Sequence, residues 1–168
     1  MSMGKLSGFD CLFMPDARFK NAFFFKGVKM KIKMLLEGRI PTKKTDGAAC
    51  YDCYAAVPGG MMTIKPGTTT VVPLGFKCEF EPGYYLEVRG RSGNAVKGLQ
   101  VVTGTVDSDY RGMVGAICFN STKEDIFIST GDRVAQIMIK QVIPSEIEIV
   151  KELSETVRGS GGFGSTGK

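Results

Sequence analysis

Short apolar runs separated by turn-forming residues fill most of the chain. From Lys31 onward these runs combine alternating apolar and polar positions with many β-branched and aromatic residues, whereas no amphipathic stretch exceeds a turn or two of helix. Pairs such as Pro66-Gly67 and Pro82-Gly83 divide the runs and favour turns. The pattern predicts an all-β sandwich or barrel. The predicted strands are 31–36, 50–55, 62–65, 69–80, 84–89, 99–102, 113–120, 125–129, 134–142 and 146–153.

A polar cluster interrupts this pattern between the predicted strands 99–102 and 113–120. It runs from Thr103 to Gly112 and brings two carboxylates, a tyrosine and an arginine into ten residues. The commoner explanation for such a cluster is a turn whose Asp side chains bond their own backbone. The functional explanation is a carboxylate that activates water. Asp107 and Asp109 are both candidates, because alternate residues of an extended segment share one face.

The chain of 168 residues contains no histidine. This excludes a Ser-His-Asp triad, a Cys-His pair, an imidazole base and any metal site that uses His ligands. A base would have to be a carboxylate, Lys, Tyr or Cys, and carboxylates are the usual choice for activating water. The composition therefore directs attention back to the polar cluster.

Composition and charge fit one globular domain with an anionic partner. Hydrophobic residues make up 43% and charged residues 23% of the chain, and the net charge of +5 gives a pI near 9.0. Because the chain has no long basic run, a small anion fits as well as a polymer. Five cysteines, an odd number, favour reduced thiols. Cys50 and Cys53 would point to opposite faces of an extended segment, so we interpret them as core thiols rather than metal ligands.

Two further segments suggest a site for an anion. Residues 89–98 could form one helical turn whose free amides, with Arg91, would bind an oxyanion; the alternative is a helix-capping Ser92 beside a surface arginine. The tail 158–168 has five glycines in its first ten residues and is expected to be mobile. A linker would explain the glycines, whereas Arg158 and Phe163 suggest a lid over an aromatic, anionic ligand.

The first 29 residues are rich in phenylalanine and follow neither a helical nor a strand period. Their longest apolar run is too short for a signal peptide, and no later run approaches the ~20 apolar residues of a membrane span. We therefore expect a protein that is not secreted and resides in the cytoplasm, or in the host cytoplasm or nucleus if it is viral. We expect neither a membrane nor a nucleic-acid partner, and we assign this segment no role.

Taken together, five motifs in order resemble the trimeric all-β dUTPase family. They are 47–56, 90–93, 104–112, 131–136 and 158–167. The chain departs from the family pattern at Gly90, where proline is usual, at Asn94, where leucine or a similar residue is usual, and at Cys50 and Cys53 in the first motif. Gly90 could make the segment 89–98, which would bind phosphate, more flexible. None of these changes removes a group assigned to chemistry.

The resemblance implies a jelly-roll-like β-barrel or sandwich over residues 30–157, with residues 1–29 as an extension and 158–168 as a flexible, glycine-rich lid. It also implies a homotrimer with sites at the subunit interfaces and hydrolysis of dUTP to dUMP and pyrophosphate. That reaction limits uracil incorporation into DNA and supplies dUMP for thymidylate synthesis. Deamination of dCTP, the reaction of a sister family, fits the glycine-rich tail less well. A binding protein that uses its N-terminus fits the intact motifs less well.

The resemblance further implies the roles of individual residues. Asp107 would be the base that directs water to the α-phosphorus, and Mg²⁺ would bridge phosphate oxygens, with Asp52 contacting it through water. Tyr110 would exclude a 2′-hydroxyl, and Phe163 would stack on uracil. The remaining substrate-binding residues would be Arg91, Ser92, Gly93 and Gln136 at the phosphates, Arg158, Gly164, Ser165 and Thr166 in the lid, and Thr103, Gly104, Thr105, Val106 and Met113 around the uracil hairpin.

Overall fold

The computed structural model describes residues 27–35 and 38–162, which form eleven β-strands and one short helix. In chain order these are β1 (Lys31–Met34), β2 (Tyr51–Tyr54), β3 (Met61–Ile64), β4 (Thr69–Pro73), β5 (Phe76–Glu79), β6 (Tyr84–Arg89), α1 (Ser92–Ala95), β7 (Leu99–Val102), β8 (Gly104–Asp107), β9 (Gly115–Asn120), β10 (Ile126–Ser129) and β11 (Arg133–Gln141).

All strand pairs are antiparallel. The largest sheet has the order β2-β11-β6-β8, a second has the order β4-β9-β7, and two further pairs are β1 with β5 and β3 with β10. Successive side chains of a strand point to opposite faces of its sheet, so apolar residues at alternate positions bury one face. On β6, for example, Leu86 and Val88 enter the core, where they join Ile137 of the same sheet and Val72 and Cys118 of the second sheet in one continuous cluster. The predicted all-β fold is confirmed.

Three segments differ from the prediction in the number of strands that they form. The run 69–80 is two strands, because Gly75 adopts a left-handed backbone (φ +71°) between β4 and β5. Residues 104–107 form the strand β8 rather than part of a turn, because Val106 packs against the core while Thr105 and Asp107 point outward. Residues 146–153 are not in a strand, because they have no neighbouring strand to pair with in the described part of the subunit.

Candidate active site

A buried carboxylate, Asp52, lies at the centre of a cluster of side chains from three of the five motifs. Its side chain is 5% exposed and accepts hydrogen bonds from Arg91 Nε (3.0 Å, to Oδ1) and Arg133 Nη1 (3.1 Å, to Oδ2). Gln136 Nε2 donates a third, longer bond of 3.4 Å. The pairing of β2 with β11 creates this contact by placing Asp52 directly opposite Gln136.

The cluster keeps Asp52 ionised. Burial raises the pKa of the carboxyl group, but hydrogen bonds from Arg133, Gln136 and Arg91 outweigh this effect and hold the pKa below its usual value. Two guanidinium groups then share one carboxylate, which leaves a net positive charge. Since arginine matches the geometry of phosphate oxygens, the cluster can attract and orient a phosphorylated ligand.

The predicted helical turn is present as α1, and its first residue does not cap it. The N-cap position is Arg91, and no side chain caps the helix. Arg91 is also no free surface side chain, since it is 20% exposed and paired with Asp52. The alternative of a capping Ser92 beside a surface arginine is therefore wrong, and Ser92 and Gly93 are both exposed at the start of the turn.

Two residues that build this region were not in the predicted set: Arg133, within the cluster, and Asn94, beside it. Arg133 lies within the fourth motif, so its position beside Gln136 was the available signal. Asn94, a departure from the family pattern, donates from Nδ2 to the carbonyl oxygens of Arg133 (2.9 Å) and Val134 (3.3 Å). It thereby ties α1 to β11, a role that its sequence neighbours do not reveal.

The third motif forms a braced turn at the edge of the same sheet. Asp107 ends β8 and is exposed, and its carbonyl accepts the Tyr110 amide (3.1 Å). Arg111 Nη1 donates to the carbonyls of Ser108 (2.7 Å) and Tyr110 (3.0 Å), and the Tyr110 hydroxyl donates to that of Met113 (3.3 Å). Thr103, Thr105, Tyr110 and Met113 are exposed, while Gly104 and Val106 are half-buried.

The subunit does not bring Asp107 to the Asp52 cluster. Asp52, Gln136 and Arg89 are aligned across neighbouring strands, whereas Asp107 is aligned with Tyr85, four residues earlier on β6. With three strand spacings and four residues between them, Asp52 and Asp107 are roughly 20 Å apart on one face of the sheet. A ligand that contacts both carboxylates would need another arrangement than a single subunit offers.

The fifth motif is only partly described. Arg158 is exposed and donates from Nε to the carbonyl of Gly161 (2.8 Å), and Gly159 allows this tight turn with φ +51°. The predicted lid residues Phe163, Gly164, Ser165 and Thr166 lie outside the described residues.

The donor set around Asp52 argues against a metal held by protein ligands alone. Both carboxylate oxygens already accept hydrogen bonds, and within residues 27–35 and 38–162 no three His, Cys, Asp or Glu side chains are grouped to hold an ion. These residues fit a Mg²⁺ ion that keeps its waters and binds mainly to a ligand's phosphates, as Mg²⁺ usually does. Cys53 is buried, and burial raises the pKa of its thiol, so it remains protonated.

A family model and curated relatives show which proteins this chain is similar to. A protein-family model for dUTPase matches residues 37–167. A deoxyuridine 5′-triphosphate nucleotidohydrolase from Anaeromyxobacter sp. is 43% identical over 132 residues, which are 77% of this chain and 88% of the relative. The enzyme of the same name from Kluyveromyces lactis is 42% identical over 139 residues, 79% of this chain and 88% of the relative.

Solved structures show the same fold. A dUTPase mutant from Staphylococcus bacteriophage 80alpha, solved with dUpNHpp, superposes with a TM-score of 0.75 at 23% identity and covers 83% of this chain and 99% of its own. A mutant dUTPase from phage phi11 of S. aureus, described with a structural Mg(II) ion, has a TM-score of 0.68 at 21% identity and covers 76% and 99%. Among the described residues, no helix has the length and apolar character to span a membrane. The match over residues 37–167 and the identity to these relatives place the chain in the dUTPase family.

Proposed function

We propose that this member of the dUTPase family hydrolyses dUTP to dUMP and pyrophosphate. The observation that carries the proposal is the Asp52 cluster, which joins Arg91 of the second motif with Arg133 and Gln136 of the fourth into one cationic, pre-organised group. Relatives that cover most of the chain bear the name of this activity. By this reaction the protein would limit uracil incorporation into DNA and supply dUMP for thymidylate synthesis.

The phosphate chain would bind beside the Asp52 cluster. Arg91 would donate its remaining N–H groups to the phosphates, together with the exposed Ser92 and Gly93 and the amide of Gln136. Asp52 would act on a hydrated Mg²⁺ ion only through water, because its oxygens are already engaged by protein donors. When bound, Mg²⁺ neutralises charge on the phosphate oxygens and the leaving group.

Asp107 would be the general base. It is exposed at the end of β8, so a water molecule can reach its carboxylate. It would hold that water for attack at the α-phosphorus and accept its proton as the bond to the bridging oxygen of pyrophosphate breaks. The preference for Asp107 over the nearby Asp109 rests on the family resemblance.

The proposed site requires more than one subunit, and we propose the homotrimer of the family. Asp107 and Asp52 are roughly 20 Å apart within one chain, so Asp107 of one subunit would complete the Asp52 cluster of another. The segment after β11 also supports association. It alternates glutamates with large apolar residues, and Ile147 and Ile149 are each 95% exposed in the single chain. Burial of that apolar side would favour contact with another subunit.

Specificity would come from the third and fifth motifs. The hairpin around Thr103, Gly104, Thr105, Val106 and Met113 would bind uracil through main-chain groups, and Tyr110 would pack against the deoxyribose. The segment 158–168 would close over the nucleotide, with Phe163 on uracil and with Arg158, Gly164, Ser165 and Thr166 at the terminal phosphate. Residues 30–157 would form the folded domain, and residues 1–29 an extension.

Pyrophosphate release across the deoxynucleoside and ribonucleoside triphosphates, with and without Mg²⁺, tests the proposal. We expect release from dUTP, much less from UTP and dTTP, and a strong dependence on Mg²⁺. Ammonia release from dCTP is measured in parallel. Ammonia from dCTP without pyrophosphate from dUTP would assign the chain to deamination and refute the proposed hydrolysis.

A further inference from the structure

The ring of Tyr110 folds back over the backbone of Gly112. An ideal Cβ atom built on Gly112 would lie 2.8 Å from Cε2 of Tyr110 and closer still to Cζ and Oη. Non-bonded carbon atoms prefer a separation of about 3.5 to 4.0 Å. Any side chain at position 112 would therefore overlap the ring in its observed position.

Space, rather than backbone conformation, explains the glycine at this position. Within residues 27–35 and 38–162, the glycines with positive φ are Gly59, Gly60, Gly67, Gly75, Gly83, Gly98, Gly131 and Gly159. Gly112 is not among them, so its backbone is open to other residues. The absence of a Cβ atom at Gly112 is what permits the observed ring position.

Other contacts fix both ends of the tyrosine and leave the ring little freedom. The Tyr110 amide donates to the Asp107 carbonyl, and the Tyr110 carbonyl accepts a hydrogen bond from Arg111. At the other end, the Tyr110 hydroxyl donates to the Met113 carbonyl. The side chain is nevertheless 46% exposed. The ring is thus held against Gly112 on one side and presents other atoms to solvent, where a ligand can meet them.

We infer that Gly112 is a positioning residue for sugar specificity. By lacking a Cβ atom, it allows the Tyr110 ring to lie where the proposed function needs it, in the space that a ribose 2′-hydroxyl would occupy. The inference rests on the proposed function and adds to it the residue that sets the ring position. A methyl group at position 112 would move the ring by at least about 1 Å and strain its hydrogen bond to Met113.

The test compares Gly112→Ala with the wild-type enzyme in kcat/KM for dUTP and for UTP. We expect the dUTP-to-UTP ratio to fall about ten- to a hundredfold, the effect typical of a group displaced by ~1 Å. General damage to the enzyme would lower both values together and leave the ratio unchanged. Gly27→Ala is the matched control, because Gly27 precedes β1 outside the five motifs, is exposed and has no atom within 4 Å of a built Cβ.

A double-mutant cycle with Tyr110→Ala makes the test decisive. Without the ring, a Cβ at position 112 meets no obstacle, so Tyr110→Ala with Gly112→Ala should have the same ratio as Tyr110→Ala alone. Equal, independent losses from the two substitutions would overturn the inference. So would an unchanged ratio in Gly112→Ala with wild-type turnover of dUTP.

The same cycle covers a variant that fails to fold. If Gly112→Ala unfolds at a lower temperature, the double variant should recover the melting temperature of Tyr110→Ala, because the clash is gone. A double variant that remains as unstable as Gly112→Ala would show that the space serves something other than Tyr110. Absence of pyrophosphate release by the wild-type enzyme would instead refute the proposed function, while the melting temperatures would still report on the Gly112 contact.

Discussion

The Asp52 cluster and the Asp107 turn lie on one face of the same sheet and differ in construction. Asp52 is buried and held by side chains that come from positions 39, 81 and 84 residues away in the chain. Asp107 is exposed at the sheet edge, in a turn braced by residues 108–113. The folded core thus organises the proposed phosphate site, whereas local contacts organise the proposed water-activating and sugar-binding site. A substitution in one of these regions should therefore leave the other intact.

The largest expected effect is on chemistry at the exposed turn. Asp107→Asn removes the proposed base but keeps the shape of the side chain, so kcat should fall by about 10² to 10⁴ with little change in the dissociation constant for dUTP. Steady-state kinetics and calorimetric titration measure the two quantities. Asp109→Asn is the matched control and should retain most activity. Wild-type turnover by Asp107→Asn would refute the base assignment.

Removal of the fifth motif should affect turnover without affecting the Asp52 cluster. Deletion of residues 158–168 removes Arg158 and the proposed lid, so we expect a loss of kcat of about 10². The melting temperature and the oligomeric state should stay close to those of the full chain, as measured by circular dichroism and light scattering. Normal kcat in the truncated chain would mean that this segment is no lid.

At the buried cluster, the expected effect is on stability. Asp52→Asn leaves two arginines without their carboxylate and should lower the free energy of unfolding by about 2 to 3 kcal/mol, less than for a fully buried pair because Arg133 is 41% exposed. Urea denaturation measures the change. The control Asp125→Asn removes a surface pair with Lys65 and should cost less than about 0.5 kcal/mol. Equal losses would contradict the central role of Asp52.

The difference in unfolding free energy between the wild type and Asp52→Asn should depend on pH. The pKa of Asp52 is lowered in the folded state from its ordinary value of 3.8. Its ionised form therefore stabilises the fold above pH ~4, and this contribution is lost as the pH falls through the folded-state pKa. The difference in unfolding free energy between wild type and Asp52→Asn should be constant from pH 7 to 5 and shrink in more acidic solution.

The smallest expected effect concerns the residue that joins α1 to β11. Asn94→Leu introduces a residue usual in the family and removes two hydrogen bonds to main-chain carbonyls, at a cost of about 1 kcal/mol. Ser92→Ala should leave the melting temperature almost unchanged, since the Ser92 side chain does not cap the helix. If Asn94→Leu is as stable as the wild type, the two bonds do not hold α1 against β11.

Alternation along the chain predicted most of the sheet-forming segments, but it does not indicate which strands pair with one another. The run 146–153 alternates as clearly as a true strand, yet a strand also needs a neighbour with free backbone groups, which alternation cannot supply. The segment 104–107 was missed because its threonine and aspartate resemble turn residues, although Val106 already marked its buried face. Gly75 divides the run 69–80 into two strands through its left-handed backbone, which the residue type alone does not reveal.

At the candidate site, too, the sequence indicates residues but not the contacts between them. The family motifs pointed to Asp52, Arg91 and Gln136. The contact of Arg91 and Gln136 with the Asp52 carboxylate, however, depends on the pairing of strands that are far apart in the sequence. Arg133 lies in the fourth motif, three residues before Gln136, but its residue type does not show that its guanidinium contacts Asp52. The hydrogen bond from Asn94 to the carbonyl of Arg133 likewise depends on the placement of α1 against β11. The brace around Tyr110 consists of contacts between near neighbours, and even there the role of Gly112 follows from atomic overlap rather than from residue type.

Strand β8 is the last strand in its sheet, with β6 on one side. An edge strand leaves N–H and C=O groups unpaired and invites pairing with other chains, which proteins usually prevent by keeping edges short and charged. Here the edge is four residues long and ends in Asp107. In the proposed reaction, the donor and acceptor groups of uracil would take the place of the missing neighbouring strand. Binding of the base would then resemble the addition of a single residue to the edge of the sheet. The pyrimidine would pair with backbone groups that otherwise favour aggregation.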